Sequence, residues 1–278
     1  MLPPAVQQLI ALALEEDLGR GDVTSEALVP LSLEARGEVV VKAPGVLAGL
    51  EVAGAVFGAV DPGLSWQLLA ADGAAVAPGQ VVARVAGRAR SLLSAERPAL
   101  NFLQRLSGIA TLTARYVEVL RGTRARLVDT RKTTPGWRFL EKMAVRAGGG
   151  YNHRLDLAGG ILIKDNHLVL SGNDIAGAVR AARAAAPHTL RLEIEVTNLA
   201  GVEAALAAGA EVILLDNMSL QEMRRAVELV AGRVLLEASG GITLETVRAV
   251  AETGVDLISC GAITHSACAL DMSLEVGN

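Results

Sequence analysis

The chain has 278 residues, 51% of them hydrophobic but only 3% aromatic, and its 26 basic and 30 acidic side chains leave a formal charge of -4. A chain of this length buries a core for one large domain, or for a large and a small one. The slight acidity offers no global field for a polyanion, and the scarcity of aromatic platforms argues against single-stranded nucleic-acid binding. Cys260 and Cys268 show neither CxxC nor metal-ligand spacing, which points to a reducing compartment, the cytoplasm, and away from a disulfide scaffold.

The opening "MLPPAVQQLIALALEEDLGRGD" has apolar positions broken by glutamines and acids, so it reads as an amphipathic helix over about 4–17 and not as a signal peptide. A strand near 37–43, an alanine-rich helix near 49–60 and strands near 64–70 and 80–90 follow, the last two parted by the turn signals of "ADGAAVAPGQ". The longest apolar stretch, "VLAGLEVAGAVFGAV", is shorter than a bilayer span and carries Glu51, so no membrane segment is expected. From about 91 to 121 a long helical pattern sets Leu100, Leu103, Leu106 and Ile109 in register, with Pro98 and Gly108 as expected irregularities. Residues 1–108 thus read as a small α+β domain.

After Gly122 the texture changes: short runs of Ile, Leu and Val alternate with alanine-rich helical segments. Strands are expected at 126–129, 161–164, 190–196, 212–216, 233–238 and 255–261, with a seventh candidate near 144–147. Ser219 and Glu222 form a capping box, Thr243 is placed to cap a later helix, and Gly209, Gly232 and Gly254 sit where a left-handed C-terminal residue is wanted. Strands apolar on both faces and joined by helices make a parallel sheet covered by helices. An α/β barrel over 109–265 is favoured over an open doubly wound sheet, and the strand count does not support a standard eightfold barrel.

In either closure the site lies at the carboxyl ends of the strands. The residues just after the apolar runs are "DTRKTTPG", "KDNH", "EIEVTN", "LDN", "EASGG" and "CGAITH", nearly all polar or glycine-rich. Each has a bland explanation: Arg131 and Lys132 as a solvated turn, Lys164 paired with Asp165, Asp216 as a cap, Ser239 to Gly241 as a tight turn. Their joint occurrence at one end of one sheet does not. Only four of the basic residues are lysines, Lys42, Lys132, Lys142 and Lys164, and two of those stand here. Cations (Arg131, Lys132, Arg154, Lys164, with His153) suit a substrate with several acidic groups. Glu193 or Glu195 with Asp216 suits Mg2+, and glycine turns leading into a helix suit phosphate.

At these residues the chain resembles the quinolinate phosphoribosyltransferase family. The matching segments are "EEDLGRGDVT" (15–24), "AERPALNFLQRLSGIAT" (95–111), "DTRKTTPG" (129–136), "LEKMAVRAGGGYNHR" (140–154), "LIKDNH" (162–167), "LEIEV" (192–196), "ILLDN" (213–217), "EASGGI" (237–242) and "GAITHS" (261–266), in order over nearly the whole chain. Met143, Asp156 and Gly159 depart from the family pattern. The resemblance implies an incomplete, about seven-stranded parallel α/β barrel with a smaller N-terminal α+β domain, the tail 266–278 packing back on the latter. It implies a homodimer with a site shared between subunits, and transfer of phosphoribose from 5-phosphoribosyl-1-pyrophosphate to quinolinate with loss of CO2, in NAD biosynthesis.

The matched positions imply that Thr130, Arg131, His153 and Arg154 hold quinolinate, joined by Arg97 from the other subunit, and that Lys132 and Lys164 lie between the two substrates. Glu195 and Asp216 would face the ribose hydroxyls and Mg2+. Ser239, Gly240 and Gly241 with Cys260, Gly261 and Ala262 would form backbone loops around the 5-phosphate. The rival readings are a Schiff-base aldolase using Lys164, a phosphoribosyltransferase for another acidic heterocycle, and a non-catalytic phosphate-ester sensor.

Overall fold

The computed structural model describes residues 2–172 and 174–277. The chain divides into two compact units: the chain up to Ala114 with Thr133–Gly149 and the chain from Ile263, and Arg115–Lys132 with Gly150–Ala262.

The first unit holds α1 (Pro4–Leu18), α2 (Val23–Leu28), β1 (Glu34–Val41), β2 (Gly45–Val46), α3 (Leu50–Val60), β3 (Ser65–Leu68), β4 (Ala75–Val76) and β5 (Val81–Arg88). It also holds most of α4 (Ala89–Val119), with α5 (Arg138–Ala147) and β12 (Met272–Gly277). An antiparallel sheet in the order β12-β1-β5-β3 forms its backbone, so the tail of the chain pairs with β1. Ala35, Gly37, Val39 and Val41 alternate inward along β1, the period-two pattern of a half-buried strand.

Two expectations need correcting in this unit. The helix α4 runs through both Pro98 and Gly108 without a break. Its buried Leu92, Ala95, Ala99, Leu103, Leu106 and Ala110 recur every three or four residues, and that continuous packing outweighs the single hydrogen bond lost at the proline. Gly108 serves a close approach: a Cβ there would lie 2.0 Å from the carbonyl oxygen of Cys268. The strand candidate at 144–147 lies within α5, where buried Leu140, Ala144 and Val145 mark one helix face. The short run "AVRA" carries no period of its own. Inside the same unit Arg105 donates to Glu141 at 2.9 Å and to the carbonyls of Thr264 and Ala267, and Glu141 also accepts from the Thr134 hydroxyl at 2.8 Å.

The second unit is built on the parallel strands β6 (Arg126–Val128), β7 (Ile161–Ile163), β8 (Leu192–Val196), β9 (Val212–Asp216), β10 (Leu235–Ser239) and β11 (Leu257–Ser259), ordered β6-β11-β10-β9-β8-β7. Tyr151 adds a single parallel bridge to Val128 and so marks a seventh position outside β6. The sheet curls as an incomplete barrel, its seam lying between Tyr151 and β7. The helices between strands are α6 (Asp165–Leu170), α7 (Ile175–Ala185), α8 (Leu199–Ala207), α9 (Leu220–Val230) and α10 (Val247–Ala251), and the short α11 (Ala262–His265) follows β11.

Alternation decides which side chains face the barrel interior. Ile194, Ile213, Leu215, Leu236, Ala238 and Ile258 are buried on the outer face, each large one contributing about 1.5–3 kcal/mol of apolar burial. Their neighbours Glu193, Glu195, Leu214, Asp216, Glu237, Ser239 and Ser259 turn inward. The capping box of Ser219 and Glu222 closes the start of α9, and Gly209, Gly232 and Gly254 all take positive φ. Thr243 does not cap α10: its carbonyl accepts from Thr246 and Val247 in the preceding turn, and Thr246 stands at the helix boundary.

Candidate functional site

The carboxyl ends of the parallel strands open into a cavity of about 530 Å³. It is lined by Thr130, Arg131 and Lys132 after β6, His153 and Arg154 on the segment following Tyr151, and Lys164 after β7. Leu162, Glu195, Leu214, Asp216, Asn217, Glu237, Ser239, Gly240, Gly241 and Ser259 complete it. One pocket thus gathers all but four of the residues expected at the site. Cys260, Gly261 and Ala262 follow β11 but do not line this cavity; Ser259 takes that position. Cys260 is buried, its backbone N–H bound to the Val128 carbonyl and its thiol to that of Ile242. Arg97 belongs to the first unit, where its side chain stands 59% exposed on α4 beside Glu96.

The cations are held by short local bonds. Thr130 Oγ1 accepts from the Lys132 backbone N–H at 3.0 Å, closing the turn that carries Arg131. Arg154 donates to the Gly160 carbonyl at 2.8 Å. Burial, reinforced by the Arg131 guanidinium, lowers the Arg154 pKa from its ordinary value. Lys164 does not use Asp165: its Nζ lies 2.5 Å from Glu195 Oε2 on the adjacent strand, and Asp165 Oδ1 accepts the backbone N–H of Asn166 instead. Glu195 and Asp216 are half-buried in the same cavity, and carboxylate oxygens at an open strand end are the hard donors Mg2+ takes.

The glycine loop after β10 differs from the expected glycine turn running into a helix. Gly240 and Gly241 both have positive φ, but α10 begins only at Val247 and spans five residues. The loop's own backbone is what faces the cavity. A Cβ at Gly240 would lie 2.3 Å from Asn217 Oδ1, and Asn217, itself at φ 53°, donates its backbone N–H to the Ser239 carbonyl.

Below the mouth a second cavity of about 190 Å³ reaches toward the strand starts Ile161, Val212, Leu235 and Leu257, sharing His153, Arg154 and Glu237 with the first. Between the two, His153 Nε2 lies 3.1 Å from Glu193 Oε2 and 3.8 Å from Glu237 Oε2. His153 Nδ1 accepts the backbone N–H of Arg154 at 2.8 Å, and the His153 backbone N–H is bound by buried Asp129. Both ring nitrogens of His153 are therefore engaged within the chain. Burial first, and the Glu193 carboxylate second, push the Glu237 carboxyl up to about 7. Sequence reasoning passed over Glu237 and Asn217. For Glu237 the signal was present: an acid inside the apolar run "VLLEA", as telling as Glu193 inside "LEIEV".

The C-terminal domain model of quinolinate phosphoribosyl transferase matches residues 109–275, and the N-terminal domain model matches residues 22–107. A probable nicotinate-nucleotide pyrophosphorylase [carboxylating] of Synechocystis sp. is 43% identical over 281 residues, covering 99% of this chain and 92% of the relative. The nicotinate-nucleotide pyrophosphorylase [carboxylating] of Mycobacterium leprae is 45% identical over 278 residues, covering 98% and 97%. The crystal structure of NadC from Streptococcus pyogenes superposes with a TM-score of 0.96 at 42% identity, over 100% of this chain and 98% of that one. With both domain models matched in order and the cavity residues falling on the matched segments, the chain belongs to the quinolinate phosphoribosyltransferase family.

Proposed function

We propose that the mouth cavity of the barrel takes quinolinate and 5-phosphoribosyl-1-pyrophosphate side by side, and that the residues lining it carry out phosphoribosyl transfer with decarboxylation. The products are nicotinate mononucleotide, pyrophosphate and CO2, as in NAD biosynthesis. The observation that carries this reading is the sharing of one cavity by Arg131, Lys132, Arg154 and Lys164, by Glu195 and Asp216, and by the Gly240–Gly241 loop. A carbonyl-trapping lysine or a phosphate sensor would not need four cations beside the glycine loop in one cavity.

Arg131, after β6, and Arg154, after the Tyr151 bridge beside it, hold the quinolinate carboxylates, with Thr130 fixing the turn that carries Arg131 and Lys132. His153 acts through the placement of Arg154. Lys132 and Lys164 neutralise charge between the substrates as pyrophosphate leaves. Carboxylates at Glu195 and Asp216 face the ribose and stabilise the oxocarbenium character that develops at its anomeric carbon. The pyridine nitrogen attacks that carbon as pyrophosphate leaves; the ring, once quaternary, accepts the electron pair released as CO2 departs, and the ring carbon that lost CO2 then takes up one proton from water. Glu195 and Asp216 would also hold Mg2+, which when bound neutralises pyrophosphate as a leaving group. Ser239, Gly240 and Gly241 offer backbone N–H groups to the 5-phosphate, with Cys260, Gly261 and Ala262 behind them.

We infer a cytoplasmic homodimer. Two free cysteines support the compartment, and no helix among the described residues is long and apolar enough to cross a membrane. Exposed Val23, Leu28 and Leu31 support burial against a second copy, and the exposed Arg97 is the residue that copy lends to the site. The deciding experiment incubates the protein with quinolinate, 5-phosphoribosyl-1-pyrophosphate and Mg2+ and follows CO2 and nicotinate mononucleotide. Consumption of nicotinate in place of quinolinate, without CO2, would overturn the acceptor assignment.

A further inference from the structure

Two guanidiniums line the mouth cavity, those of Arg131 and Arg154, and their like charges push them apart. Glu193 and Asp156 act favourably on the Arg154 charge. Among the described residues, however, the one hydrogen bond of that guanidinium runs from Nη1 to the main-chain carbonyl of Gly160, at 2.8 Å. A carbonyl is neutral, so it fixes the direction of the side chain and leaves the positive charge for an anion. Lys164 is held differently, by the carboxylate of Glu195.

The anchoring carbonyl lies further along the same chain segment, so its place depends on how residues 155–160 fold. On the far side it is fixed, because the Ile161 N–H is bound to the Arg191 carbonyl at 3.1 Å as β7 begins. On the near side Asp156 Oδ1 accepts the backbone N–H of Ala158 at 2.9 Å, the turn that a short acidic side chain makes with the backbone two residues on. This turn brings Gly159 back against Arg154: a Cβ at 159 would stand 3.3 Å from the Arg154 Cβ and 3.6 Å from Asp156 Oδ1. Leu155 and Leu157 are 46% and 70% exposed, so apolar burial contributes little to the shape of the loop and local hydrogen bonds decide it.

We propose that Asp156 is a positioning residue: its turn holds Gly159 and Gly160 against Arg154, and the Gly160 carbonyl then locks the guanidinium in the direction from which it meets a substrate carboxylate. Asp156 works through its acceptor oxygen and not through its charge, which is exposed to solvent and screened. The kinetic part of this inference rests on the mouth cavity being the quinolinate site; the lock itself does not.

The test is a pair of variants at 156. Asp156→Asn keeps the acceptor and loses the charge, whereas Asp156→Ala loses both. Asp156→Ala raises KM for quinolinate about 3- to 10-fold, the scale of one side-chain bond to the backbone, and leaves KM for 5-phosphoribosyl-1-pyrophosphate within about twofold. Asp156→Asn stays within about twofold of the parent for both substrates. Side-chain nitrogen spectra of the unliganded protein show a slowly rotating Arg154 guanidinium in the parent and in Asp156→Asn, and a freely rotating one in Asp156→Ala. A freely rotating guanidinium in the parent overturns the lock. So does a parental quinolinate KM in Asp156→Ala, an Asp156→Asn variant as impaired as Asp156→Ala, or a donor KM that rises in step. Should Asp156→Ala fail to fold, the spectra of the parent and the kinetics of Asp156→Asn decide. A parent that releases no CO2 from quinolinate defeats the proposed function instead, and the spectra alone then judge the lock.

Discussion

Lys164 and Glu195 form one ion pair across adjacent strands, the cation at the end of β7 bound to the carboxylate near the end of β8. Lys164→Ala therefore strips the transfer site of a cation and leaves Glu195 without its partner. Turnover is expected to fall about 100-fold or more, the scale of removing one preorganised charged contact from a transition state. The Lys164 side chain is 45% exposed, so stability should change by no more than about 1 kcal/mol. Steady-state CO2 release and a thermal melt separate the two, and near-normal turnover would remove Lys164 from the mechanism.

Chelation gives a second expectation. If Glu195 and Asp216 hold Mg2+, treatment with EDTA abolishes product formation and added Mg2+ restores it. Asp216→Asn should raise the Mg2+ concentration needed for half-maximal rate. Full activity of the chelated enzyme would exclude the ion.

Glu141 is fully buried and carries Arg105 and Thr134. Glu141→Ala leaves Arg105 partly desolvated and unpaired, and unfolding in urea should show a loss of about 3–5 kcal/mol, the cost of breaking a buried pair from one side. A loss under about 1 kcal/mol would show that Arg105 simply turns to water.

Stability should also depend on pH through Glu237. Its carboxyl titrates near 4.3 when unfolded and at about 7 in the folded chain, so between those values the folded state binds more protons. The contribution is complete below the lower value and is lost as pH rises through the upper one. Melting temperatures measured from pH 5 to about 8 should decline more in the parent than in Glu237→Gln, which has no proton to lose. Parallel curves would mean that Glu237 is ionised throughout.

For the dimer, an Arg97→Ala protein mixed with an Arg131→Ala protein should recover about a quarter of parental activity if each site draws on both subunits and random exchange leaves one intact site in half the dimers. Absence of recovery despite demonstrated exchange would place Arg97 elsewhere.

The elements most legible in the sequence were those whose physics is local. The alternation of Glu193, Ile194 and Glu195 identified a strand with an acidic inner face, and the runs before Asp216 and Lys164 identified their strand ends. What escaped depended on long-range partners. Asp165 was the only partner the local sequence offered for Lys164, and Glu195 was not legible as one because the chain does not reveal that β8 lies alongside β7. Nothing in "GGGYNHR" announces that two acids arriving from β8 and β10 stand beside His153. The segment 144–147 looked like a strand because four residues are too few to show the helical period that Leu140 and Val145 complete.

The interlock of Gly240 with Asn217 has a mechanical consequence. Because the Asn217 amide occupies the space where any side chain at 240 would stand, and its backbone is tied to Ser239, the loops after β9 and β10 cannot shift independently. Asp216 sits immediately before that tie. On the proposed reading, with Asp216 facing the ribose hydroxyls and the Gly240–Gly241 loop facing the 5-phosphate, that tie would fix the span between the two ends of the sugar phosphate and make the site a ruler for the donor.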